Sequence, residues 1–262
     1  MGNVNPVVGM AWFSICVCLP LTFVVFLFAC WKARRGQVPV YYMNLLISNL
    51  IQLFSMIDWV VQSNGVSFIS LVLFHIAAIA SLGFRMGIAL ERYCFIAFPH
   101  FEYIRQTKGS VLFCTTVWGV CFIMVPIPLA FNRISTSLLT ILPAPVFIIC
   151  LAETIRLMCQ AAPFATLVPN EVKQRILATL IVLMLNYSLM IFPCAIVNIV
   201  FPIFSLLNYF PTGIGCLYQF SSFMDLILFA LTLKGPIDKL LGRLCCCSMA
   251  YPVVHASAPM SV

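Results

Sequence analysis

The sequence predicts an all-α protein: a bundle of seven transmembrane helices followed by a short amphipathic juxtamembrane helix. Three observations carry this prediction. First, of 262 residues, 63% are hydrophobic and 8% are charged, and the mean hydropathy is +1.10. A soluble domain is about 45–50% apolar and about 25% charged, so much of this chain must face lipid rather than water. Second, the apolar residues fall into seven segments, 7–31, 38–62, 66–94, 109–131, 137–158, 172–200 and 213–234. Each exceeds the ~20 residues that a spanning helix needs. Third, the cations gather in alternate breaks between segments. A membrane barrel is unlike this pattern, because its strands give ~10-residue alternating segments.

The charges set the expected orientation. Lys32, Arg34 and Arg35 follow the first segment, and Arg92, Arg105 and Lys108 follow the third. Arg156, Lys173 and Arg175 lie between the fifth and sixth, and Lys234, Lys239 and Arg243 follow the seventh. The other breaks hold only Arg133. By the positive-inside rule, the N-terminus is outside and the C-terminus is cytosolic. The net charge of +7 is thereby explained without nucleic acid. Residues 1–247 are expected to form the membrane domain and 248–262 a short cytosolic tail. The first segment is expected to be a span rather than a cleaved leader, because MGNVNPVVGMAWF has no positive start.

Each later segment adds something specific. The second contains NLLISNL (Asn44 to Leu50), with Asn49 in its body. The third carries Arg85 within the apolar run and ends on Glu91-Arg92-Tyr93. The fourth has Trp118, then Pro126 and Pro128. The fifth has Pro143 and Pro145, which should distort it, and Glu153 with Arg156 at a spacing that allows local pairing. The sixth has Tyr187 and Pro193, and the seventh has DLILF, Asp225 to Phe229. The amphipathic stretch KGPIDKLLGRL and then Cys245-Cys246-Cys247 follow. Cysteines so close to a span are candidates for S-palmitoylation. The ten other cysteines lie in or beside spans, where a free thiol behaves as a small hydrophobe.

Seven spans, this orientation and Glu91-Arg92-Tyr93 at the cytosolic end of the third span resemble the rhodopsin-like (class A) G-protein-coupled receptors. Asn44 to Leu50 is similar to that family's second-span motif, with Asn49 at the acidic position. Trp118 stands about where the family keeps a fourth-span tryptophan. Phe192-Pro193, with Tyr187 before it, is similar to the sixth-span motif, and Asp225 to Phe229 to the seventh-span one. ERYCFIAFPHFEY also has a local resemblance to the free-fatty-acid receptor group. The departures are equally definite. Ile191 replaces the sixth-span tryptophan, and the seventh-span motif lacks its proline and tyrosine. Lys173 stands where the family has an acid, and both cysteines of the usual outer disulfide are missing.

The resemblance implies roles. Glu91, Arg92 and Tyr93 would form the G-protein coupling switch, with Trp118, Tyr187, Pro193 and Phe229 as structural and switch residues. A buried arginine needs a partner or a wet cavity. Only Asp225 and Glu153 lie well inside later spans, and the family's packing would bring Asp225 to Arg85. The alternative is a wet cavity with no protein partner. Asn49, Arg85 and Asp225 would thus form an intramembrane polar network. With Asn49 in place of an acid, the family's internal sodium site would lose its charge. Asp58, His75, Asn198 and Gln219 are the polar residues placed to line a ligand pocket. Gln219 stands where opsins keep the retinal-binding lysine, so no Schiff base can form.

The implied function is an orphan receptor at the plasma membrane. It would couple an unidentified extracellular or lipid-phase ligand to a heterotrimeric G protein, within a membrane of lipid partners. The alternatives are a receptor-like membrane partner that does not signal and a transporter or channel. Repeated halves with paired broken spans, or rings of charge, would mark the last; the sequence has neither. No enzyme motif, metal-ligand spacing or cofactor site is present, and the only histidines are His75, His100 and His255.

Overall fold

The computed structural model describes residues 6–36, 38–61, 67–97, 108–126, 138–159, 170–200 and 210–232. All the regular structure among them is helical. Helix α1 joins Pro6–Phe13, a π-helical turn Ser14–Cys18, and Leu19–Ala33. Then come α2 (Val40–Val61), α3 (Phe68–Ala97), α4 (Lys108–Met124) and α5 (Ala144–Cys159). Helix α6 joins Asn170–Asn186, a π-helical turn Tyr187–Ile191, and Phe192–Val200, and α7 is Phe210–Thr232.

Among the described residues, five stretches are long and apolar enough to cross a membrane: Ala11–Ala33, Val40–Asp58, Phe68–Ala97, Leu138–Cys159 and Val172–Val197. Gly109–Met124 and Phe220–Thr232 are apolar but shorter. The chain is built as a helical membrane protein. Its outward faces carry large apolar residues, such as Val24, Phe122 and Ile149, each more than half exposed. Only lipid makes such a surface stable.

Helix α3 is the centre. It packs against α2, α4, α5 and α6. Helix α1 touches α2 on one side and α7 on the other, and α7 packs along α6. Helices α4, α2, α1, α7, α6 and α5 therefore follow one another in contact around α3. Gly83 and Gly87 let α4 and α2 approach it. A Cβ on Gly83 would stand 2.8 Å from a Val117 methyl carbon, and one on Gly87 would stand 2.9 Å from the Tyr41 ring. Small residues at four-residue spacing serve this purpose in membrane bundles.

Both π-turns have the same cause. Each ends two residues before a proline, Pro20 in α1 and Pro193 in α6. Proline offers no N–H and its ring clashes with the preceding turn. The widened turn shifts the bonding: Leu19 N–H donates to the Ser14 carbonyl, and Phe192 N–H to that of Tyr187. Helix α5 deals with Pro143 and Pro145 differently. Residues 138–141 form a helical turn, 142–143 break it, and the helix resumes at Ala144, which is the distortion expected there. Helix α4 runs regularly to Met124, and a turn at Val125 interrupts it before Pro126; residues 127–131 of the expected segment lie outside the described residues.

Candidate functional site

The one buried guanidinium–carboxylate pair among the described residues lies between α3 and α7. Arg85 Nε donates to Asp225 Oδ1 at 2.9 Å, and Nη2 donates to Oδ2 at 2.6 Å. This is the two-pronged geometry that suits a planar guanidinium. Two amides complete the site. Asn49 Nδ2 on α2 donates to Asp225 Oδ2 at 2.8 Å. Asn186 Nδ2 on α6 donates to Asp225 Oδ1 at 3.3 Å and to the Ser221 carbonyl at 3.4 Å. Each carboxylate oxygen thus receives two donors, and four helices converge on one side chain.

The physics explains the convergence. A charge in the hydrocarbon region is stable only when paired and hydrogen-bonded. Asn49, Arg85, Asn186 and Asp225 are all buried. The structure brings Asn49, Arg85 and Asp225 together, and Arg85 has a protein partner. Asn186 is the member that sequence reasoning missed. It was visible as an asparagine within an apolar helix, the same signal that singled out Asn49. With both oxygens engaged, Asp225 has no open position for a cation. Asn49 Oδ1, Asn186 Oδ1 and Ser221 Oγ are buried without a hydrogen-bond partner among the described residues. The cluster is therefore saturated in donors to the acid and unsaturated around its edge.

Toward the C-terminal end of α3 lies the Glu91-Arg92-Tyr93 triplet. Arg92 interacts electrostatically with Tyr42 of α2 and with Glu91. Tyr42 is buried, and its role had no signal in the sequence beyond an aromatic in an apolar helix. The buried Arg92 Nε has no hydrogen-bond partner among the described residues. Tyr93 packs half-buried against the core.

The other singled-out residues fall as follows. Trp118 Nε1 donates to Asn44 Oδ1 at 3.0 Å and ties α4 to α2. Tyr187 lies in the α6 π-turn, Pro193 just beyond it, and Phe229 in the core. Asp58 accepts the Ser67 N–H at 3.1 Å, and His75 Nδ1 bonds the Leu71 carbonyl at 2.8 Å. Both make local bonds, and neither is brought to the Asp225 cluster. The side chains of Asn198 and Gln219 lie outside the described residues, as do the amphipathic stretch after α7 and Cys245, Cys246 and Cys247. Glu153 and Arg156 pair at 3.5 Å on the α5 surface. No protein-family model matches the chain, and no curated protein matches it.

Proposed function

We propose that this protein is a divergent rhodopsin-like receptor that spans the plasma membrane seven times and couples ligand binding to a heterotrimeric G protein. The observation that carries the reading is the buried cluster on Asp225. It ties α2, α3, α6 and α7 to one charge in mid-bundle. A contact of that kind can be made in one helix arrangement and lost in another, which is what a two-state signalling bundle requires. Arg92, seven residues and about two helical turns along α3, then stands at the end that would meet the G protein. Its neighbour Tyr42 offers a hydroxyl where the family's sixth-helix acid is replaced by Lys173. The N-terminus and Arg133 would be outside, and Arg92 and the other cations inside. The ligand would be lipid-like or weakly polar, since few charges stand on the outer side. Acylation at Cys245, Cys246 and Cys247 would fasten the segment after α7 to the inner leaflet.

The test is basal G-protein coupling in cells, comparing wild type with Arg92→Ala at matched surface levels. The receptor reading expects signalling that Arg92→Ala removes. Signalling unchanged by Arg92→Ala sinks the role of that residue. Silence of both proteins at good surface levels leaves two readings, a receptor silent without its ligand and the non-signalling membrane partner.

A further inference from the structure

Helix α5 has an unfilled position in its own hydrogen-bond ladder. The Ile141 carbonyl should accept the N–H of residue 145, but that residue is Pro145 and has none. Within a membrane no solvent can supply the missing donor, so a protein group must do it. The Tyr187 hydroxyl reaches it, its one proton shared between the Thr140 carbonyl oxygen at 3.0 Å and that of Ile141 at 3.3 Å. Tyr187 is buried, and its ring packs against Phe147 of the resumed α5 with centroids 5.2 Å apart. A buried tyrosine hydroxyl finds a partner of this kind.

The donor itself sits on an irregular turn. Tyr187 begins the π-turn of α6, and its carbonyl accepts the Phe192 N–H that closes it. One residue therefore joins the two weakest points of the neighbouring helices: the proline break of α5 and the π-turn of α6. Each is a place where backbone bonding is already incomplete, so each can rearrange more easily than the regular helix beside it. We propose that the Tyr187 hydroxyl is a latch, standing in for the missing Pro145 N–H and holding the α5 break against the α6 π-turn. When it releases, the first turn of α5 and the middle of α6 move independently. The latch does not depend on the receptor reading.

The experiment is hydrogen–deuterium exchange of the full chain in lipid nanodiscs, followed in peptides covering 138–147 and 187–192. Tyr187→Phe keeps the ring and removes the hydroxyl. Exchange in both segments is expected to be roughly three- to tenfold faster, the range for one lost hydrogen bond, with α3 unchanged. Pro145→Ala restores the N–H that Ile141 lacks. On that background, adding Tyr187→Phe is expected to have a distinctly smaller effect. The latch is overturned if Tyr187→Phe leaves both segments unchanged, if it accelerates α3 equally, or if its effect is the same with Pro145 and with Ala at 145.

Discussion

Arg85 and Asp225 are 140 positions apart in the chain, yet they meet through bonds of 2.9 and 2.6 Å, with side chains only 3% and 0% exposed. Removing one partner leaves a bare charge in the bundle, which costs about 3–5 kcal/mol. Arg85→Leu and Asp225→Leu should each lower the thermal unfolding midpoint in nanodiscs sharply and reduce surface levels. The double variant removes both charges and should recover most of the loss. Additive losses in the double variant would mean that the two residues act separately. A normally expressed Asp225→Arg variant would count against the pair in the same way.

Glu153 and Arg156 form the contrasting case. They are 3.5 Å apart on one helix, with side chains 39% and 63% exposed. An exposed pair at this spacing contributes only about 0.2–0.5 kcal/mol. Arg156→Ala should leave the unfolding midpoint within experimental error of wild type. A loss comparable to that of Arg85→Leu would show that Arg156 has a second, stronger partner.

The parts of the molecule legible in the sequence are those where lipid leaves no choice. A cation in an apolar helix needs a partner or a wet cavity; charge alone left Asp225 and Glu153 for Arg85, and the receptor resemblance implied Asp225. Helix positions followed from apolar runs for the same reason. What was not legible depends on local bonding that several residue types can satisfy. Pro143 and Pro145 announced a distortion of α5, but not that Tyr187 on another helix would complete it. Pro20 and Pro193 gave no indication that a π-turn, rather than a kink, would absorb them. Asn186, in the apolar sixth segment, went unremarked. Its real signal was the same as that of Asn49: an amide in a hydrophobic helix needs a partner within the bundle.

Trp118 and Asn44 test how much a single interhelical bond contributes here. Trp118→Phe removes the 3.0 Å bond to Asn44 Oδ1 and keeps an aromatic ring against Phe84, whose centroid is 5.6 Å away. Hydrogen bonds between membrane helices average about 0.6 kcal/mol and reach about 1.7. The expected cost lies in that range. In a cycle with Asn44→Leu, the coupling energy should account for most of it. A coupling energy near zero would assign the effect of Trp118→Phe to ring packing alone.

The glycines of α3 and α4 give a prediction of opposite signs from one chemical change. At Gly87, an added Cβ would stand 2.9 Å from two Tyr41 ring carbons and 3.0 Å from a Phe113 ring carbon. The two rings already meet edge to face at 5.6 Å, and Tyr41 is buried, so neither can swing away freely. Gly87→Ala should destabilise by about 1–3 kcal/mol, the usual cost of overpacking. Gly119, on the exposed face of α4, has nothing within 4 Å of the same added atom. There the methyl only restricts the backbone, so Gly119→Ala should be neutral or stabilising by up to about 1 kcal/mol. Unfolding midpoints of the two variants in one lipid composition decide the matter. Equal shifts would mean that α3 does not depend on Gly87 for its close approach to α2 and α4.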